Sequence, residues 1–388
     1  MKIAIVKKDF LGIGGGGAEK YAQNICFELI NRGHILYILS EQFDAEERAN
    51  LIHIPVPKRR LFTASGTTNF HKNVQKILLA AKKKYQFNIV YALSRTYPVD
   101  IFRVTEQVHI EWIKIGYSHL HNLNLRHKGI LNLEKQICSS QNVKVIITNS
   151  EIAKKQVNSN YPFSEKNIHV IRNGVDKTKY YPLTSKFEKD LIRERYLLKR
   201  DLTSKFILLF VATNYKIKGL EYAIETLALL EQKVRAKTLL FIIGNDNIKP
   251  YKKLAKLYGV ENNVLFLGQK DNLRNYYASS DLLFFPSLGE PFANICLEAF
   301  ACGLPVLTTA LNGSSEIVTN GTNGFVVPSP FETKMMASLI TEYYSLKPSE
   351  KNKFSNSALN ASSLFYSWKN HVDDLEELFE EIQTESSD

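Results

Sequence analysis

Two carboxylates eight positions apart, Glu290 and Glu298, stand in the segment PSLGEPFANICLEAFACGLPVLTT, where most other side chains are apolar or small. Ionised carboxylates are seldom placed in such surroundings without a partner. A carboxylate can accept two hydroxyls of a vicinal diol at once, which is the chemistry of sugar recognition. The run DLLFFPS reads as a buried strand, LGEPFAN as a loop, and ICLEAFACG as a short helix closed by Gly303. Glu290 is therefore expected ahead of a helix N-terminus and Glu298 within the helix, both lining one cleft. The amides of Phe292, Ala293 and Asn294 are expected to donate there to an anion or a sugar hydroxyl. The alternative is that both carboxylates only cap backbone.

Three further segments carry groups that could do chemistry. FVATNYKIKGLEYAI leaves Lys216 and Lys218 at the carboxyl end of a strand, where a cation can neutralise a diphosphate, although exposed lysines are more often merely solvated. Gly12 and the run Gly14, Gly15, Gly16 and Gly17 precede a helix opening at Ala18, a place where backbone can approach a phosphate or sugar; a surface loop is the bland alternative. The spacing is neither the dinucleotide fingerprint nor a Walker A loop. RVTEQVHIEW (103–112) gathers Glu106, His109 and Glu111 just after a strand, each able to serve as acid, base or charge stabiliser or to be structural. His119, His121 and His127 have no Cys or carboxylate at ligand spacing, so no metal is expected.

The elements that must position these groups follow from periodicity. Short β-branched runs (KIAIV, ILYILS, NIVYAL, VKVIITNS) alternate with helical patterns, and a second series (FILLFVAT, TLLFIIG, NVLFLG, DLLFFPS, PVLTT) follows a polar, Lys/Arg-rich connector. This is the pattern of two doubly wound α/β units in tandem, with the boundary placed near residue 183. A length of 388 residues suits two such domains. In the tail, Trp368, Val372, Leu375, Leu378 and Phe379 recur at helical spacing. Hydrophobic residues at 44% and charged residues at 23% exclude disordered and fibrous classes. The net charge of +11 points to an anionic partner. The N-terminal apolar run is too short for a signal peptide, and no run reaches the roughly 18 residues of a membrane span, so a cytoplasmic protein is expected. Cys26, Cys138, Cys296 and Cys302 are scattered and expected to be reduced and buried.

The span from Glu290 to Glu298 resembles the E-x7-E motif of the retaining GT-B glycosyltransferases of family 4. GEPFANICLEAFACGLPVLTT as a whole, VIRNGVD (170–176), the Lys218-Gly219 pair, GQKDNLRNYYASSDLLFFPS and NGTNGFVV are similar to the family's segments and come in its order. The resemblance implies a GT-B fold of two Rossmann-like domains with an interdomain cleft. The acceptor domain would cover 1–183 and the nucleotide-sugar domain 184–365, with a last helix, about 366–388, returning to the first. Carried across by motif, Glu298 would bind the donor ribose, Glu290 the transferred sugar, Lys218 the diphosphate and Gly268 the base. Pro291, Phe292, Ala293 and Asn294 would line the donor, and Gly15 and Gly16 would approach its diphosphate. Relatives usually carry an Arg before the Lys-Gly pair; Thr213, Asn214 and Tyr215 stand here, which leaves Lys216 or another basic group as the second cation. The first domain is closest to the subgroup of lipopolysaccharide core glucosyltransferases, where an acidic residue stands at the position of Glu106. Gln107 and Val108 occupy positions where many relatives have glycine before the histidine.

The implied reaction is transfer of a hexose from a nucleotide diphosphate sugar, a UDP-sugar such as UDP-glucose being favoured, to a hydroxyl of a glycan or lipid-linked acceptor such as lipopolysaccharide core. It would run with retention and without a metal or other cofactor. Glu106, His109 and Glu290 are the candidate catalytic groups. Arg103, Lys58, Arg59 and Arg60 are the candidate acceptor-binding groups. With Lys82, Lys83, Lys84 and Arg95 they suit an anionic acceptor or the anionic inner face of the cytoplasmic membrane, and equally a solvated surface. The enzyme alternatives are a GT-B nucleotide-sugar epimerase or a glycosyltransferase acting on a soluble acceptor. Nucleic acid is not expected, because basic and aromatic residues do not interleave in a recognised motif.

Overall fold

The structure, a computed structural model, describes residues 1–11, 17–46, 48–58, 66–116, 124–139, 141–196, 204–365 and 367–385. Its chain divides into two units, one formed by Met1–Gly174 with Trp368–Asp388 and the other by Val175–Ser367. Each is a parallel sheet covered by helices, as expected of strands that read as near-continuous Val, Ile and Leu runs.

In the first unit the strands are β1 (Lys2–Val6), β2 (Asp9–Phe10), β3 (Ile35–Ser40), β4 (Gln42–Phe43), β5 (Leu51–Pro55), β6 (Ile89–Ala92), β7 (Val99–Arg103), β8 (Val143–Thr148) and β9 (Ile168–Val170). Seven of them form one sheet in the order β5-β3-β1-β6-β7-β8-β9, all parallel, while β2 and β4 pair separately. Alternate side chains feed opposite faces. Ala4, Val6, Leu39 and Ala92 pack with Phe70, Val74 and Leu78 of the helix Gly66–Tyr85. Ile3, Ile5, Ile38 and Tyr91 pack with Ala22, Ile25 and Leu29 of the helix Gly17–Asn31. Val372, Leu375 and Phe379 of the C-terminal helix, Trp368–Thr384, join that second face.

Burying each such aliphatic side chain contributes about 1.5–3 kcal/mol, which explains why the C-terminal helix stays with this unit. Polar contacts fix its register: Arg32 donates to Asp373 and Glu376 at 2.6 Å each, and Tyr21 Oη donates at 2.8 Å to Nε2 of the buried His371, whose Nδ1 donates to Arg172 O at 2.6 Å.

The second unit holds β10 (Phe206–Val211), β11 (Thr238–Ile243), β12 (Val264–Gly268), β13 (Leu282–Phe285), β14 (Val306–Thr309) and β15 (Gly324–Val327), in the parallel order β12-β11-β10-β13-β14-β15. The chain passes to it at Gly174, before the connector at 183 suggested by composition. The physical reason lies in contacts on either side. Ile171 still bonds Thr148 O at 2.9 Å and Asn173 still accepts from Arg103 at 2.7 Å. Val175 and Tyr180, by contrast, are already buried in the second unit's core. All four cysteines are free and buried, and among the described residues no helix is long and apolar enough to cross a membrane.

Candidate active site

Strand order in the second unit reverses at β10, which lies between β11 and β13, and ligands of open α/β sheets bind beyond the carboxyl ends of the strands at such a point. The loop leaving β10, residues 212–219, is shaped by its own polar groups and by Asp246, which follows β11. Tyr215 N donates to Asp246 Oδ2 at 2.8 Å, Ile217 N to Asn214 Oδ1 at 3.2 Å, and Lys218 N to Asn214 O at 3.1 Å. Gly219 then caps the helix Leu220–Leu229 at φ 79°, and a Cβ there would lie 1.9 Å from Pro286 O in the loop leaving β13. Only glycine allows that backbone approach. It is continued by Leu288 N donating to Ile217 O at 2.9 Å. The two loops so joined bring Lys218 Nζ against Glu290 Oε2 as an ion pair, each side chain 21% exposed. Burial presses the Lys218 pKa down to about 8, and the adjoining carboxylate acts the other way, favouring the charged ammonium.

Glu290 is fixed from its other side by the segment leaving β14. Its N–H donates to Leu311 O at 3.2 Å and its carbonyl accepts from Gly313 N at 2.8 Å, a single bridge opposite Asn312. Asn312 is fully buried. Its Oδ1 accepts from Ala293 N (3.3 Å) and Ser314 N (3.1 Å), and its Nδ2 donates to Thr308 Oγ1 (3.1 Å) and Cys296 Sγ (3.7 Å). One side chain thus joins the end of β14 to the start of the helix Asn294–Ala301. That helix carries Glu298, whose Oε2 accepts from Tyr277 at 2.8 Å, and the Tyr180 hydroxyl bonds it as well. Burial first, and then the Glu298 charge, push both phenols above the usual tyrosine range, so they remain donors at neutral pH.

In the first unit the order reverses at β1, between β3 and β6, and a cavity of about 190 Å3 opens beyond the carboxyl ends of β1, β6 and β7. Lys7 and Lys8 follow β1, Ser94 and Arg95 follow β6, and Thr105 and Glu106 follow β7. Lys7 pairs with Glu19 at 3.0 Å, and Lys8 with Asp9 at 3.3 Å. Arg95 donates to Glu106 Oε2 and to Glu134 Oε1, both at 2.7 Å. The buried Glu134 also accepts from His109 N (3.0 Å) and the Tyr161 hydroxyl (2.6 Å), so it is a saturated brace. Burial acts to raise the Glu106 pKa, but the Arg95 charge and hydrogen bond, with Lys7, outweigh it and hold the carboxyl below the usual range.

Two family models match this chain: residues 15–179 that of glycosyltransferase family 4, and residues 194–360 that of the glycosyl transferases group 1. The chain belongs to the family 4 glycosyltransferases. It is 23% identical over 339 residues to the lipopolysaccharide glucosyltransferase WaaG of Escherichia coli (strain K12), covering 86% of this chain and 87% of that one. The crystal structure of WaaG, a glycosyltransferase involved in lipopolysaccharide biosynthesis, is similar with a TM-score of 0.79 at 20% identity, over 96% of this chain and 99% of the other. Anabaena Alr3699/HepE in complex with UDP-glucose is similar with a TM-score of 0.75 at 19% identity, over 98% of this chain and 100% of the other. The fold is GT-B, built of two Rossmann-like units.

Several residues of this glycosyltransferase lie where the sequence places them. Lys218 and Glu290 meet at the reversal point, Glu298 stands in the helix that follows, and Gly268 ends β12 at φ 71° with its carbonyl accepting from Gly244 N at 3.1 Å. Asn294 opens the Glu298 helix. The amide of Ala293 is a correction: it donates to Asn312 rather than facing a ligand, and the side chains of Pro291, Phe292 and Ala293 are buried. Lys216 is exposed.

In the first unit Glu106 does line the cavity, but two neighbours depart from expectation. His109 does not line it. Its ring is buried, stacked on Trp112 and bonded through Nε2 to His127 Nδ1 at 3.0 Å. Burial, then Arg95 and His127, lower its pKa to about 4, so it is neutral at pH 7. Arg103 is 1% exposed, donates to Ile171 O and Asn173 Oδ1, and lies over the Tyr21 ring at 4.3 Å, which makes it an internal tie rather than an acceptor ligand. Lys58 is exposed, while Gly15, Gly16, Arg59 and Arg60 lie outside the described residues. Among the described residues no group of three or more His, Cys, Asp and Glu side chains is arranged to hold a metal. Sequence reasoning missed Asn312, Tyr277, Tyr180, Lys7, Glu19 and Glu134, which are scattered along the chain; only the carboxyl-end rule for α/β sheets points towards Lys7.

Proposed function

We propose that this enzyme moves a hexose, with retention, from a UDP-sugar to a hydroxyl of a cell-envelope glycan or lipid-linked acceptor on the inner face of the cytoplasmic membrane. The observation that carries this is the Lys218–Glu290 ion pair at the reversal point of the second sheet, with Glu298 on the helix that follows it in the chain. Lys218 is suited to a diphosphate, Glu298 to the ribose diol and Glu290 to hydroxyls of the transferred sugar. The similar Anabaena protein was solved with UDP-glucose, and the similar Escherichia coli protein is named for glucosyl transfer to lipopolysaccharide; both support a UDP-glucose donor.

In this reading the bond between the anomeric carbon and the diphosphate oxygen breaks as the acceptor oxygen bonds to the same face. The acceptor proton passes to the departing diphosphate, whose charge Lys218 stabilises from a fixed position without a metal. The test is transfer from UDP-glucose by Glu290→Ala and Glu298→Ala variants. Loss of at least 100-fold in kcat/KM is expected for each, about 2.7 kcal/mol of transition-state stabilisation. Unaltered turnover in both variants refutes the assignment, and release of an epimerised sugar from donor alone would favour an epimerase.

A further inference from the structure

The cavity beyond β1, β6 and β7 has an electrostatic character opposite to that of the whole chain. The chain carries a net charge of +11, yet the described residues that line the cavity set three cations, Lys7, Lys8 and Arg95, against four carboxylates, Asp9, Glu19, Glu106 and Glu134. Every cation is matched. Lys7 holds Glu19 at 3.0 Å, Lys8 holds Asp9 at 3.3 Å, and Arg95 holds both Glu106 and Glu134 at 2.7 Å. Lys82, Lys83 and Lys84, by contrast, stand exposed on the last turn of the helix Gly66–Tyr85 and do not line the cavity.

A phosphate monoester brings a charge of about −1.5 to −2 and must draw a cation away from its carboxylate, leaving that carboxylate unpaired. At Arg95 this is blocked, because Glu134 is buried and also holds His109 N and Tyr161. A sugar hydroxyl both donates and accepts, so it can bridge the two members of an existing ion pair without separating charge. Phe70 and Val104 give the cavity an apolar wall suited to the C–H face of a ring. About 190 Å3 is below the roughly 300–1,000 Å3 of drug-sized sites, as befits a single ring.

We propose that the cavity of the first unit takes an uncharged, hydroxyl-bearing sugar unit of the acceptor and rejects a phosphorylated one. This rests on reading the chain as a transferase and narrows the acceptor from an anionic glycan to one whose docked unit is neutral.

The experiment measures binding of matched pairs to the full chain by ligand-observed NMR: glucose and glucose 6-phosphate, mannose and mannose 6-phosphate, glycerol and glycerol 3-phosphate, with inorganic phosphate as the bare anion. The neutral member should bind at least tenfold more tightly in at least one sugar pair. Asp9→Lys, which turns the surplus positive, should raise affinity for that pair's phosphorylated member at least tenfold. Lys8→Gln, which removes one of the cavity's cations, should weaken the phosphorylated member more than the neutral one. Equal or tighter binding of the phosphorylated members by the unaltered protein, no measurable binding of any neutral member, or no response to either substitution overturns the proposal. UDP-glucose binding, measured by calorimetry on the same samples, separates the two readings. If it binds and the phosphorylated sugars win, only the cavity proposal falls; if no nucleotide sugar binds, the functional reading falls.

Discussion

Replacing Asn312 by alanine should cost the second unit both stability and its grip on the donor. Asn312 Oδ1 accepts from the Ser314 amide as a cap at 3.1 Å and from the buried Ala293 amide at 3.3 Å. Loss of a cap costs about 1 kcal/mol, and an orphaned buried amide about 1–3 kcal/mol, so roughly 2–4 kcal/mol is expected. The Nδ2 bonds to Thr308 and Cys296 are lost with it. Asn312→Asp is expected to do no better, since it retains an acceptor but loses both Nδ2 donations and buries a charge. The bridge that holds Glu290 is built on the backbone of Leu311 and Gly313, on either side of Asn312, so its slackening should lower affinity for UDP-glucose about tenfold, or roughly 1.4 kcal/mol.

Chemical unfolding followed by circular dichroism reads the stability, and calorimetric titration well below the transition reads the affinity. A control separates positioning from simple weakening. Ile340→Ala empties a fully buried site in the helix Thr333–Ser345 and should cost a comparable 2–5 kcal/mol while leaving donor affinity unchanged. The reasoning is refuted if Asn312→Ala loses less than about 1 kcal/mol, or if it loses stability as Ile340→Ala does with donor affinity intact.

Two shorter expectations follow from the same loops. Burial sets the Lys218 pKa at about 8, and only the protonated ammonium attracts the diphosphate, so binding is lost as pH rises through that value: UDP affinity should fall about tenfold between roughly pH 7 and 9, and Glu290→Gln should move the midpoint lower. Affinity that stays flat over that range contradicts it. Gly219→Ala places a Cβ 1.9 Å from Pro286 O at a positive φ, so a loss of at least about 2 kcal/mol in stability is expected, together with loss of donor binding; a melting temperature within about 1 °C of the unaltered protein would count against the close approach.

The arrangement of the Glu290–Glu298 segment was legible in the sequence because its parts are local. Fourteen consecutive residues, from Phe285 to Glu298, carry the strand exit, the helix entry and both carboxylates, and the element order alone puts them at the carboxyl end of a parallel strand. What holds them was not legible: Asn312, Tyr277 and Tyr180 lie outside that stretch, and nothing in their spacing announces a hydrogen bond. Side-chain direction was also hidden. Arg103 ends a strand buried on both faces, so its length reaches into the core to Asn173 rather than out to solvent. His109 opens the helix His109–Gly116, and its ring turns towards Trp112 and His127 rather than the cavity that Glu106 borders. Composition gave the sign of the whole chain's charge and could not give the sign of a cavity, because that depends on which carboxylates fold against which cations.

Lys218 and Arg95, one at each reversal point, meet carboxylates to opposite ends, and the number of partners decides which. Lys218 has one carboxylate partner among the described residues, and both side chains keep a fifth of their surface open. An incoming diphosphate can take the ammonium while sugar hydroxyls take the carboxylate, so the pair opens without stranding either charge. Arg95 is held by Glu106, Glu134 and the Gln107 carbonyl, and Glu134 in turn by two further donors. Removing the guanidinium would leave Glu134 buried with its charge unmatched, a cost that a phosphate outside the network cannot offset. The Lys218 pair can thus open for an anion, whereas Arg95, locked into its network, presents a fixed pattern of donors and acceptors, which is what a neutral sugar needs.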